Sequence, residues 1–166
     1  MGAGFHGGFG ETKGSGNSKK KGYQKVDQGV RDKNQLFNGI DGVTEHASDI
    51  VKNVKNGKIK VSVLGDRLFE EYLGEDENIA AVAIGNNIYL RRSSATALSD
   101  FVHEGTHALD HIAGELSKMT VINRELRAYN REHEFQKAAG IPLEFANEDE
   151  IRVHVFLNYG KKGGRR

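Results

Sequence analysis

Residues 103–107 read His103-Glu104-Gly105-Thr106-His107, a string whose chemistry works only on a helix and which therefore dictates the local fold. Two imidazoles four positions apart on a helix are offset by about 40° around the axis and stand roughly one turn apart. Both then point to one side and can grip a single divalent ion such as Zn2+. Glu104 falls between them, placed to act on the attacking water rather than to ligate. With about 100° per residue, Leu98, Phe101, Val102, Gly105, Leu109 and Ile112 share one stripe, which reads as the buried face. His103, His107 and Asp110 fall on the opposite side, away from the apolar core.

A zinc site needs a third protein ligand, and its place is constrained by Gly114, which ends the motif helix and turns the chain back. At 1.5 Å per residue, His107 stands about 10 Å above that turn and His103 about 16 Å. On a returning helix counted from Ser117, Glu125 reaches about 12 Å, between the two imidazoles. Glu132 overshoots and Glu115 stays at the turn. Ala128 follows Glu125 on the same face and permits close helix approach. The expected ligand set is His103, His107 and Glu125. Three ligands with one open position describe a catalytic rather than a structural metal site. Bound zinc brings the pKa of water down to about 7, with Glu104 as general base.

Asp110 is placed to orient a ring N–H from behind the ligands. His111 extends the four-residue ladder, but one straight helix cannot wrap three ligands around an ion, so it reads as a cleft wall. A donor for the developing oxyanion is also needed. Tyr129, His154, Arg127 and Tyr159 carry one, with Tyr129 and His154 preferred.

The rest of the chain reads as one small α+β domain. Its 166 residues suffice for a core without staples, and the absence of Cys excludes disulfides, thiolate zinc sites and a cysteine nucleophile. Residues 1–22 hold eight Gly and read as a flexible linker, with Met1 expected either to begin an excised C-terminal module or to open a natural disordered tail. The domain is expected over residues 23–160, followed by a basic tail, residues 161–166. Folding is expected to begin within Tyr23–Leu36.

Thr44–Asn56 reads as a helix capped at Thr44 and stopped by Gly57. Lys58–Leu64 alternates like a half-buried strand, and Gly65–Leu73 is a short helical turn carrying Leu68, Phe69 and Tyr72. Ile79–Ile84 and Ile88–Arg91 flank Gly85-Asn86-Asn87, a hairpin signal because Gly and Asn tolerate positive φ. A helix capped by Ser93 or Ser94 runs to Ala113. A second spans Ser117–Ala139. A third covers Glu148–Asn158, opened by Asn147 and Glu150 as a capping box and ended at Gly160.

A net charge of +1 argues against a nucleic-acid partner, and the lysine and arginine clusters at the two ends read as solvated tails. No apolar run approaches the ~20 residues of a membrane span, and no cleavable secretion signal opens the chain. Export would need a route without such a signal, or delivery within a longer protein.

The order of strand, hairpin, motif helix and glutamate-bearing helix resembles the zincin metallopeptidases of the gluzincin kind. His103 to Asp110 is similar to the active-site helix of anthrax lethal factor-like peptidases, which carry an Asp three residues past the second His. Glu125-Leu126-Arg127-Ala128 resembles the segment that supplies the third ligand in short zincins. The resemblance implies a peptide or protein substrate paired to an edge strand, here at Ala83 and Ile84 or at Ile88. The head Gly7-Gly8-Phe9-Gly10-Glu11-Thr12-Lys13-Gly14 is similar to the junction before C-terminal toxin modules of bacterial polymorphic toxins. It implies an effector carried by a larger secreted protein into a target cytoplasm and neutralised by an immunity protein. A nuclease toxin, an inactive zincin-like binding module and a housekeeping peptidase are the other readings.

Overall fold

The computed structural model describes residues 6–7, 28–74 and 78–163 of the chain. It is a mixed α+β arrangement. In order come β1 (His6–Gly7), α1 (Lys33–Ile40), α2 (Glu45–Lys55), β2 (Lys60–Leu64), α3 (Asp66–Leu73), β3 (Ile79–Ile84), β4 (Asn87–Arg91), α4 (Ala97–Ile112), a 3-10 turn (Leu116–Lys118), α5 (Val121–Ala139) and α6 (Glu148–Gly163). The strand order is β1-β3-β4-β2. β2 pairs parallel to β4, while β3 is antiparallel to β4 and carries the two-residue β1 on its outer edge.

Local chemistry explains most element ends. The Thr44 side chain accepts from Ala47 N at the head of α2, and Asn147 accepts from Glu150 N at the head of α6. β3 and β4 join through Gly85 and Asn86, with Ile84 opposite Asn87. Gly85 alone takes positive φ (61°), as the first position of a II′ turn requires, so Asn86 is not used in the way the sequence suggests. Gly114 (φ 72°) ends α4 and Gly140 (φ 68°) ends α5.

Several boundaries differ from the sequence reading. α1 was not foreseen, although Asp32 caps it by accepting from Gln35 N at 2.9 Å. The cap of α4 is Thr96, not Ser93 or Ser94; Ser94 Oγ instead donates to Asp100 at 2.7 Å. α5 begins at Val121 behind Thr120, because Leu116–Lys118 forms a 3-10 turn first. α6 continues to Gly163, past Gly160 and into the segment read as a tail. Within the head read as a linker, His6–Gly7 pairs on β3; the rest of residues 1–22, and Tyr23 to Asp27, lie outside the described residues.

α4 is the axis of the domain. Leu98, Phe101 and Val102 pack with Leu36 and Ile40 of α1, Ile50 of α2, Ile88 and Leu90 of β4, and Phe135 of α5. Each such fully buried side chain contributes roughly 1.5–3 kcal/mol relative to exposure. The far end of the expected stripe is less covered, with Leu109 half-buried and Ile112 exposed. Gly105 is where α2 comes closest: a Cβ there would stand 2.7 Å from Ile50 Cδ1, so close packing explains a glycine inside the motif helix. No helix among the described residues is long and apolar enough to cross a membrane.

Candidate metal centre

α5 packs on the polar face of α4, and α6 packs on α5. His103, Glu104 and His107 come from α4, Glu125, Tyr129 and Glu132 from α5, and His154 and Tyr159 from α6. That face is not solvated: His103 is 0 % exposed, Glu104 0 %, His107 1 % and Glu125 3 %. Burying this many ionisable groups is costly unless each is paired or holds a metal.

The helix pair folds back at Gly114 as the chain's spacing requires, and Glu125 arrives between the two imidazoles. His103 Nε2 lies 3.2 Å from Glu125 Oε2, and His107 Nε2 lies 3.2 Å from Glu125 Oε1. Donors around a tetrahedral ion with bonds of about 2.0–2.1 Å stand roughly 3.3 Å from one another. One donor atom from each of His103, His107 and Glu125 falls within 4.8 Å of the others. His107 Nε2 is buried yet lacks hydrogen-bond geometry toward any partner among the described residues. The donor set is therefore one that could hold a metal ion. Burial raises the Glu125 carboxyl, but the nearby imidazoles of His107 and His103, the latter hydrogen-bonded to it, outweigh burial and hold the group down at about 2, as an anion.

Glu132 is the residue the sequence reading passed over. The Nδ1–H of His103 donates to Glu132 Oε2 at 3.2 Å, so the far side of the ring is held by a carboxylate while Nε2 faces the donor cluster. Glu125 and Glu132 are seven apart and thus share a face of α5, which is the signal that could have found it.

Asp110 does not take the place expected of it. It accepts from Arg127 Nε at 3.0 Å, and His107 Nδ1 has no hydrogen-bond partner among the described residues. Arg127 is thereby tied to Asp110 through Nε, with its side chain 45 % exposed. The Asp110 carboxyl is nonetheless raised from its usual range by burial, against the pull of Arg127 and His107.

Tyr129 and His154 sit one layer out. The Tyr129 ring meets that of His103 edge-on at 4.4 Å, and its hydroxyl lies 3.2 Å from His154 Nε2. His154 meets Tyr129 edge-on and Phe145 at a tilt, with centroids 5.1 and 5.0 Å away. Tyr159 packs in the same cluster as Tyr129, Ile151 and Val155. Burial first, then the negative charges of Glu125 and Glu104, raise its phenol far above the ordinary value, and its hydroxyl is hydrogen-bonded to Tyr129. The phenol therefore keeps its proton in the field of Glu125 and Glu104.

On the sheet, Ala83 and Ile84 lie on β3 beyond Ile79 and Ala81, the positions paired with β1, and Ile84 is 43 % exposed. Ile88 does not lie on an edge. β4 is hydrogen-bonded to β3 on one side and β2 on the other, so it offers no free ladder for a substrate. His111 reaches across the mouth of the hairpin, where a Cβ on Gly85 would stand 3.3 Å from its Nε2, in keeping with a cleft-wall position.

Comparisons with known protein families, curated proteins and solved structures return no match to this chain.

Proposed function

We propose that this chain is a zinc metallopeptidase domain of the zincin kind and the effector module of a larger secreted toxin. The observation that carries the proposal is the pair of 3.2 Å approaches from His103 and His107 to the two oxygens of Glu125, with Glu104 on the same helix. In this reading His103, His107 and Glu125 hold the metal and Glu132 fixes the ring of His103. Zinc bound there supplies Lewis acidity, lowering the pKa of a water toward about 7 and polarising a peptide carbonyl. Glu104 takes a proton from the attacking water and passes it to the departing amine. Tyr159 donates its O–H to the carbonyl oxygen as charge builds there, with Tyr129 and His154 positioning it from behind. The substrate is a peptide segment laid along β3.

The toxin assignment draws on a different feature, the Gly-rich head and its likeness to the junctions before polymorphic toxin modules. It implies entry into a target cytoplasm and a cognate immunity protein. A second reading is favoured by the complete burial of His103 and Glu104: a closed metal site that ties α4 to α5 structurally and catalyses nothing.

Metal analysis and one variant separate these. Purified protein should carry about one zinc per chain, lost in His103→Ala or His107→Ala. Glu104→Gln should keep the metal and abolish peptide cleavage and toxicity together. Full toxicity in Glu104→Gln would overturn peptidase-based toxicity. Zinc removal that lowers only thermal stability, with no cleavage by wild type, would establish the closed site instead.

A further inference from the structure

A cavity of about 470 Å3 opens beside the metal centre, between the β3–β4 turn and the start of α5, lined by Ile84, Gly85, His111, Leu116 and Arg124 among others. Topology brings these together. β4 leaves the turn, a short connection reverses the chain, and α4 runs back until its last turn meets Gly85. His111 is one turn beyond His107 on the same face of α4, and Arg124 immediately precedes Glu125. The cavity therefore lies one helical turn from the metal donors.

Its chemistry is one-sided. The ionisable lining groups are Arg124 and His111, and no carboxylate lines it among the described residues. Arg124 Nε donates to the Met119 carbonyl at 3.2 Å, which anchors the guanidinium without neutralising it. The remaining guanidinium N–H groups form the fork that suits a carboxylate. Ile84 and Leu116 add apolar surface for a methylene stem. β1 pairs with Ile79 and Ala81, so among the described residues the Ile84 end of β3 carries no paired strand on its outer edge. An extended chain added along β3 leads to the cavity at that end.

We propose that this cavity is a substrate subsite that selects an acidic side chain, Glu or Asp, near the scissile bond. It deepens the peptidase reading and rests on it for the direction of the bound chain. Charge complementarity assigns the occupant: a neutral side chain would leave the Arg124 guanidinium facing the cavity unanswered, and a basic one would be repelled.

The test uses amidated peptides in which a single Glu is moved along a neutral sequence, their Gln counterparts, and a Gln peptide with a free C-terminal carboxylate. Binding is measured calorimetrically to zinc-loaded Glu104→Gln protein, and cleavage with wild type. At one position Glu should bind about ten- to a hundredfold tighter than Gln. Arg124→Gln should erase that preference and Arg124→Glu should turn it toward Lys, both with zinc content retained. Equal binding of Glu and Gln peptides, or a preference that survives Arg124→Glu, overturns the subsite. Tighter binding of the free-carboxylate peptide alone also overturns it, because the recognised group is then a chain end. Cleavage without acidic preference sinks the subsite and leaves the peptidase reading standing. Acidic preference in binding, with no peptide cleaved by wild type, upholds the anion-selective cavity and sinks the peptidase reading.

Discussion

The Nδ1–H of His103 donates to Glu132 Oε2 at 3.2 Å, across a helix interface and 29 positions of sequence. The opposite nitrogen of the same ring faces Glu125 at 3.2 Å, so one imidazole is clamped between two carboxylates of α5. A clamped ring has its tautomer and its orientation decided before any ion arrives. Glu132→Ala should therefore weaken zinc binding about ten- to a hundredfold in competition with a chelator. Glu132→Gln, which keeps an acceptor in place, should lose less. An unchanged affinity in Glu132→Ala would remove Glu132 from the site.

Tyr159→Phe tests the acid side. The variant keeps the ring, the packing against Tyr129 and the zinc, and loses only the hydroxyl. Loss of one preorganised donor should lower kcat by about 10²–10³ with KM little changed. Tyr129→Phe, which removes the hydroxyl partner of His154, should be read mainly as a stability loss of about 1 kcal/mol in urea denaturation. Equal kcat values for wild type and Tyr159→Phe would make Tyr159 a packing residue.

Gly105→Ala sets two effects against each other. Alanine gains about 1 kcal/mol in helix propensity. Its Cβ would stand 2.7 Å from Ile50 Cδ1 and Cγ2, and such overpacking costs roughly 1–3 kcal/mol. The net expectation is a destabilised protein whose midpoint in guanidinium falls. Ile50→Val in the same chain should recover part of the loss, since it removes one of the crowding carbons. A stabilised single variant would show that α2 shifts away at no cost.

His46 predicts a pH effect on the metal-free protein. Its Nε2–H donates to Thr106 Oγ1 at 2.8 Å, because the Thr106 hydroxyl proton is already committed to the Val102 carbonyl at 2.7 Å. Burial, with Arg131 and Arg127 adding to it, holds the imidazole down from 6.5 to about 4. A folded state that resists protonation binds fewer protons than the unfolded chain, so stability is fully present above pH 6.5 and falls as pH drops toward 4. Denaturation series across that window should show a shallower slope for His46→Gln. An identical slope would mean that other groups carry the acid sensitivity.

Much of this arrangement is legible residue by residue. Gly114 announces the reversal that lays α5 along α4, and the count of residues on either side places Glu125 between His103 and His107. Thr44 and Asn147 announce their helices through hydrogen bonds confined to one turn. Where reasoning from local sequence failed, a competing partner decided. Ser94 is a good capping residue, but its hydroxyl goes to Asp100 and the cap passes to Thr96. Asp110 is near His107 in helical angle, but Arg127 of α5 takes it. Ile88 belongs to a strand of the right composition for an edge, but β2 pairs with β4 and closes that side.

The sequence by itself determined the short-range geometry: the helical spacing of His103 and His107, the turn at Gly85, the break at Gly114, and the reach of Glu125. Those follow from backbone sterics and helical rise, which act within a few residues. Only the tertiary structure decided that Glu132 braces His103, that Tyr159 lies in the field of Glu104 and Glu125, and that Arg124 and His111 share a cavity. Each of these depends on how α5 docks on α4 and on its other neighbours, and docking is set by the packing of Ala128, Tyr129, Phe135 and Ile151 against partners distant in the chain. No local spacing encodes that packing.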